Sequence, residues 1–484
     1  MSFDTLFNWN DMPDLLEKYL PIWLNEKTVD KPSVANLNNE ERERLKNLSF
    51  QDQGKDPNEI LDIMSNDVYK KLWKIDHPRN MAFVPSPVSP LSSIVEICNS
   101  IFNPYAAGYE NSEGTNILEN KTIRFLAGAL GYDEEQAGGF STSGGSMANF
   151  SAFILARDQK LKQEDFAKAR IYATDQAHSS IAKAARLLGF LPQQITKVDT
   201  DDDFKMIPAD LRHKILADKE NGFCPFLIVA TAGTTNTGVV DPLSEIADIR
   251  DEFNLWLHVD GAYGASAALS SYRSILSGIE RTDSVTWDAH KWLFQTLSCS
   301  FLIVRDGKLL HNSFHSSAEY LEAVEDDNAT FADTNGWDIS IEMTRPARTM
   351  KLWFTFQVAG METIQKALDH GFESIVYLAK LFENKKDWRI VSEPHMSTLN
   401  VRFEPEGWSK EMTDAAQVYL CDENLKTGFA TYITTKLLGD KVIRFCAPHP
   451  DLTKADLEKI TTDLFERGAE LKVNPDIISN QEDL

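Results

Sequence analysis

The run Ser284-Val-Thr-Trp-Asp-Ala-His-Lys-Trp-Leu293 sets a lysine directly after a histidine at the end of a strand-like apolar segment. Burial there disfavours the ammonium, so Lys291 reads as a nucleophilic amine able to form a Schiff base with an aldehyde cofactor. Pyridoxal 5'-phosphate (PLP) is the obvious aldehyde. A His-Lys pair alone is weak, since most lysines are solvated surface residues. Three upstream segments add to it. Leu255 to Val259 is apolar and delivers Asp260, whose carboxylate can pair with a protonated pyridine nitrogen; an aspartate after a strand otherwise serves as a helix cap. Ser141-Thr-Ser-Gly-Gly-Ser146 opens a helical stretch from Met147 to Leu161, and amides at a helix N-terminus seat a phosphate, although such loops are commonly plain turns. Ile171 to Ser180 reads as a short strand running into a polar loop that carries His178, an imidazole placed to stack on a cofactor ring and touch the substrate carboxylate.

In the order phosphate loop, His178, Asp260, His290-Lys291, the chain resembles the group II pyridoxal-phosphate decarboxylases. Within them it is similar to the aromatic L-amino-acid decarboxylases, above all bacterial members acting on tryptophan or phenylalanine. Distinctive motifs run from His77-Pro78 to the Arg345 to Trp353 segment. The resemblance implies decarboxylation of an aromatic L-amino acid (tryptophan, phenylalanine, tyrosine or dihydroxyphenylalanine) to the arylalkylamine and carbon dioxide. It implies PLP on Lys291, with Gly145 and Ser146 at the phosphate, Asp288 and His290 flanking the lysine, and Thr235 nearby. Asp260 would keep the pyridine nitrogen protonated, with Ala262 against one ring face and His178 on the other. Tyr320, in His315-Ser-Ser-Ala-Glu-Tyr-Leu321 before the acidic stretch Glu322 to Asp333, matches the tyrosine that assists protonation of Cα. Relatives with phenylalanine there tend to form an aldehyde instead. Ser86 and Tyr105 are nominated for the substrate pocket by Phe83-Val-Pro-Ser-Pro87 and Asn103 to Tyr109.

One position departs from the animal enzymes, which carry asparagine where this chain has Asp288. An anion beside a phosphate is repelled unless a proton, a water or a cation intervenes. Arg345 and Arg348 are candidates for that compensation. Competing readings are an aminotransferase, with Arg444 as its carboxylate clamp, an aromatic aldehyde synthase, and a non-catalytic protein that keeps the scaffold.

The elements that must position these residues are legible as patterns. Strands are expected at Ile171 to Ala173, Phe226 to Thr231, Leu255 to Val259, Ser284 to Trp287 and Ser300 to Val304, alternating with helices. That alternation predicts an α/β domain with a largely parallel sheet covered on both faces. Later, Trp388 to Val391, Thr398 to Phe403 and Lys441 to Ala447 read as strands and Asp456 to Leu471 as a helix, a smaller α+β domain. Met12 to Asn25 reads as an amphipathic helix that cannot bury its apolar face alone. The resemblance implies a fold-type I PLP enzyme divided into a helical arm (1–84), a large PLP-binding domain (85–378) and a small domain (379–484), with the arm wrapping a second subunit in a homodimer.

Composition sets the outer limits. The 484 residues carry a formal net charge of −24, which argues against nucleic acid as a partner. The five cysteines form no CxxC pair, which suggests reduced thiols rather than a disulfide framework or a metal knuckle. With no leader-like N-terminus and no long apolar run, a cytoplasmic protein without metal or membrane association is expected.

Overall fold

A computed structural model describes residues 9–28, 30, 37–50, 52–315 and 334–479. Seven strands, β1 (Gly138–Thr142), β2 (Ala169–Thr174), β3 (Ile195–Val198), β4 (Cys224–Thr231), β5 (Trp256–Asp260), β6 (Ser284–Asp288) and β7 (Ser300–Val304), form one sheet in the order β1-β7-β6-β5-β4-β2-β3. The pairs among β2 to β6 are parallel, while β7 runs antiparallel to both β6 and β1. The sheet is therefore mixed and mostly parallel, as the alternation of apolar runs with helices predicts. All five expected strands form; β1 and β3 were not anticipated.

Alternation of side chains across the pleat divides the strands between two cores. In β4, Leu227 and Val229 join the core with Phe153 and Ile181, whereas Ile228 and Ala230 join the one with Leu126 and Leu368. Burial on both faces explains why these strands read as continuous apolar runs.

Register brings the polar strand ends together. Thr231 lies opposite Asp260, Asp260 opposite Thr286, and both Thr142 and Asp288 opposite Ser300. The glycine-serine loop after β1 thus meets the lysine turn after β6 at the C-terminal edge of the sheet, where open α/β sheets hold their ligands.

A second sheet, wholly antiparallel, is built from β8 (Trp388–His395), β9 (Thr398–Phe403), β10 (Ile433–Leu437) and β11 (Asp440–Cys446) in the order β10-β11-β9-β8. The helices Met361–Phe382, Lys410–Thr427 and Lys454–Val473 pack with it around Leu399, Val401, Phe445 and Leu464. Of its strands only β10 was unexpected. Near the N-terminus the helix Met12–Lys27 forms where amphipathicity places it, with proline in its first turn. Its Tyr19 is fully buried, and the hydroxyl lies 2.9 Å from both acceptors open to its one proton, the Asn58 carbonyl and Asp62 Oδ1.

Candidate active site

The strand ends enclose a cavity of about 610 Å³. Lining it are Gly145 and Ser146 from the loop after β1, His178 after β2, Thr235 after β4, Asp260 and Ala262 after β5, and Asp288, His290 and Lys291 after β6. Nine residues chosen from five separate segments converge in one place.

Each has a local reason for its position. The loop after β1 enters the 16-residue helix Gly145–Lys160, so its first amides point into the cavity edge. Gly145 is packed against Asp288: a Cβ there would lie 2.8 Å from both carboxylate oxygens. His178 is the N-cap of the helix Ser179–Leu187, and its Nδ1 accepts from the Ser180 amide (3.2 Å) and meets Ser180 Oγ (2.8 Å). Asp260 is buried; its Oδ1 accepts from the Ala262 amide (3.1 Å) and its Oδ2 from Asn149 Nδ2 (3.0 Å).

Electrostatics correct the expectation for Lys291. Its Nζ lies 3.0 Å from Asp288 Oδ2. Burial favours the neutral amine as anticipated, but the Asp288 and Asp260 carboxylates outweigh it and hold the ammonium above the ordinary lysine range. The free site therefore keeps Lys291 protonated. His290 is pulled down by burial, against the opposing charge of Asp288. Its Nδ1 faces the Cys299 carbonyl at 3.1 Å, and its Nε2 lies 3.7 Å from Asp288 Oδ2.

The two nominated arginines do not compensate Asp288. Arg345 is buried against Glu119 (2.6 Å), and Arg348 makes a forked pair with Glu342 (2.7 and 2.8 Å). Charge balance at Asp288 falls instead to Lys291, its cationic partner among the described residues, with the His290 ring, held toward its neutral form by burial, beside it. Arg444 donates to the Phe83 and Asn236 carbonyls, so it is spent on main chain rather than turned into the cavity.

Ser86 and Tyr105 are not among the residues lining the cavity of this chain. The Ser86 hydroxyl donates to the His290 carbonyl and braces the lysine turn from behind. Tyr105 donates to the Met343 carbonyl (2.7 Å) and is 38% exposed. Tyr320 and the stretch from 322 to 333 lie outside the described residues. Sequence reasoning missed Asn149 and Ser180, which also line the cavity, and His258, which supports them from β5. The available signal was His258 two residues before Asp260, a spacing that puts both on one face of the strand.

The pyridoxal-dependent decarboxylase conserved domain matches residues 39–404. An aromatic-L-amino-acid decarboxylase of Bacillus atrophaeus is 33% identical over 428 residues, 88% of each chain. An L-2,4-diaminobutyrate decarboxylase of Acinetobacter baumannii is 27% identical, covering 94% of this chain and 92% of that one. A cysteine sulfinic acid decarboxylase of Mus musculus is 29% identical, covering 89% and 90%. Among solved structures, Oryza sativa TDC with PLP and tryptamine superposes with a TM-score of 0.89 at 25% identity, over 97% of this chain and 99% of that one.

Proposed function

The chain belongs to the pyridoxal-dependent decarboxylases, and on that premise we propose that it converts an aromatic L-amino acid to the arylalkylamine and carbon dioxide. Amino-acid carboxy-lyase activity with PLP as cofactor follows from the family itself. When bound, the cofactor supplies the electron sink for the pair left at Cα as carbon dioxide departs. The residues present fit it. The cavity offers an amine, a buried carboxylate and an open helix N-terminus, three handles for an aldehyde, a ring nitrogen and a phosphate. Asp288 Oδ1 is buried with no hydrogen-bond partner, against the glycine that keeps this corner open.

In this reading Lys291 holds the cofactor, with Thr235 and Ala262 beside it, and Gly145 and Ser146 receive its phosphate. Asp260 keeps a proton on the ring nitrogen. His178 holds the substrate α-carboxylate, and Tyr320 delivers the proton to Cα. Ser86 acts by bracing the turn. Tyr105, exposed on this chain, serves the pocket of a second subunit.

The aromatic assignment rests on one observation: the cavity is poor in cations. Among the described residues lining it, the basic side chains are Lys291, His178 and His290, while Arg345, Arg348 and Arg444 are engaged elsewhere. A distal carboxylate or sulfinate finds no partner there. The test is kcat/KM of the PLP-loaded protein for tryptophan, phenylalanine, tyrosine, dihydroxyphenylalanine, glutamate, cysteine sulfinate and 2,4-diaminobutyrate. An aromatic preference of more than about tenfold is expected over the acidic substrates, since leaving a buried charge unpaired costs at least that much. Preference for an acidic or diamino substrate would overturn the assignment.

The same proposal includes a homodimer and the division at residues 84 and 378. The helix Pro90–Phe102 leaves Ile94 (50%), Ile97 (43%), Ile101 (41%) and Phe102 (81%) exposed along one side, an apolar stripe suited to a second copy. A cytoplasmic location is proposed with it: all five cysteines are free thiols, and no helix among the described residues is long and apolar enough to cross a membrane.

A further inference from the structure

Beneath the cavity floor lies a chain of buried polar side chains whose donors and acceptors follow from the orientation of one amide. Asn149, on the helix Gly145–Lys160, is 1% exposed and uses its whole hydrogen-bonding capacity. Its Nδ2 donates to Asp260 Oδ2 (3.0 Å) and to Ser180 Oγ (2.9 Å). Its Oδ1 accepts from Thr286 Oγ1 (2.7 Å) and from His258 Nε2 (2.9 Å). The opposite amide orientation would aim an oxygen at the Asp260 carboxylate, which can only accept.

From this one orientation the rest follows. His258 must carry its proton on Nε2, leaving Nδ1 to accept from Ser284 Oγ (2.9 Å). Ser284 can donate because it in turn accepts from the indole of Trp256 (2.9 Å), which has no other role open to it. On the other side, Ser180 accepts from Asn149 and gives its hydroxyl proton to His178 Nδ1 (2.8 Å), where the Ser180 amide also donates (3.2 Å). His178 is thereby left with its proton on Nε2, the nitrogen free of this network.

We propose that Asn149 is a positioning residue that sets two groups of the site at once. It fixes Asp260 as an acceptor aimed at the ring nitrogen, and through Ser180 it fixes the His178 tautomer that presents Nε2–H as a donor. His258, Ser284 and Trp256 form the buried anchor that prevents the Asn149 amide from turning over. A satisfied polar network of this kind holds one arrangement because every alternative leaves a buried group unpaired. The inference rests on the reading of Asp260 and His178 given above, but its first consequence can be observed without cofactor.

The experiment uses ring-15N-histidine protein and two variants, Asn149→Asp and Ser180→Ala. In the cofactor-free wild type, nitrogen NMR should show His178 and His258 as Nε2–H tautomers. Ser180→Ala removes the hydroxyl donor and leaves only the backbone amide on His178 Nδ1, so it should raise the fraction of His178 carrying its proton on Nδ1 while His258 keeps its own tautomer. Asn149→Asp sets a second carboxylate against Asp260, and should weaken PLP binding and lower kcat by roughly tenfold to hundredfold, the range seen when outer partners of a site are removed. It should also move the pH at which the visible absorption of bound PLP changes, which a loss of packing alone would not do. A His178 proton on Nδ1 in the wild type, or an unchanged His178 spectrum in Ser180→Ala, would overturn the proposal. So would an unchanged PLP affinity and absorption titration in Asn149→Asp. Should the wild type bind no PLP, the functional reading fails while the tautomer measurement still decides the network.

Discussion

At the scale of single residues, Lys291 is identifiable from its motif and its charge is not. The apolar run before it is fully buried, while the Lys291 side chain keeps 25% of its surface exposed. Asp288, expected to flank the lysine, lies 3.0 Å from its Nζ through Oδ2, a pairing whose electrostatic weight the motif does not disclose. Two carboxylates then outweigh burial and raise the lysine. Because the pKa is raised, the reactive amine is the minor form at neutral pH and gains about tenfold per pH unit below that pKa. The rate at which the cofactor-free protein captures PLP should therefore rise steadily from pH 7 to pH 9. Asp288→Asn removes the nearest partner and the repulsion of an incoming phosphate, so it should shift that profile to lower pH and speed capture several-fold at pH 7. Stopped-flow absorbance measures this directly, and a profile unchanged by the substitution would count against the pairing. Asn149 was illegible for a different reason: a polar residue within a helix reveals nothing of its partners until strands β5 and β6 are placed beside it.

Among the elements, legibility tracked how much each strand depends on its own side chains. The strands β4 to β7 are buried and apolar over most of their length, and were expected almost residue for residue. β1 was missed because Gly138 and Gly139 carry no apolar signal. Tertiary packing demands glycine at 139, where a Cβ would lie 2.2 Å from the Leu302 carbonyl oxygen. β3 and β10 are short edge strands whose burial is incomplete, so their patterns are weak. The helix that starts at Gly145 invites a test at this scale. Gly145→Ala would force its methyl against Asp288 at the point where backbone amides face the cavity. PLP affinity, measured by fluorescence titration, should fall by at least about tenfold, in line with the loss of a supporting contact at a bound group. The apoprotein melting temperature should drop by only a few degrees, the shift expected for about 1 kcal/mol in a chain of this size. Equal loss of PLP affinity and of fold would assign the glycine to packing alone.

For the whole molecule, one chain holds the nine cavity residues yet leaves a stripe of isoleucines uncovered and Tyr105 facing outward. A contiguous exposed apolar stripe of this kind marks an interaction surface, and the proposed second subunit would cover it. Ile97→Glu combined with Ile101→Glu should convert a dimer to a monomer in light scattering and depress turnover together with it; a wild type that is already monomeric would remove the second subunit from the account. The central claim, that this single cavity is where the cofactor is held, is tested most directly by borohydride reduction of the PLP-loaded protein followed by peptide mapping. Lys291 should carry the pyridoxyl group in one-to-one stoichiometry. Labelling of any other lysine, with Lys291 unmodified, would contradict it.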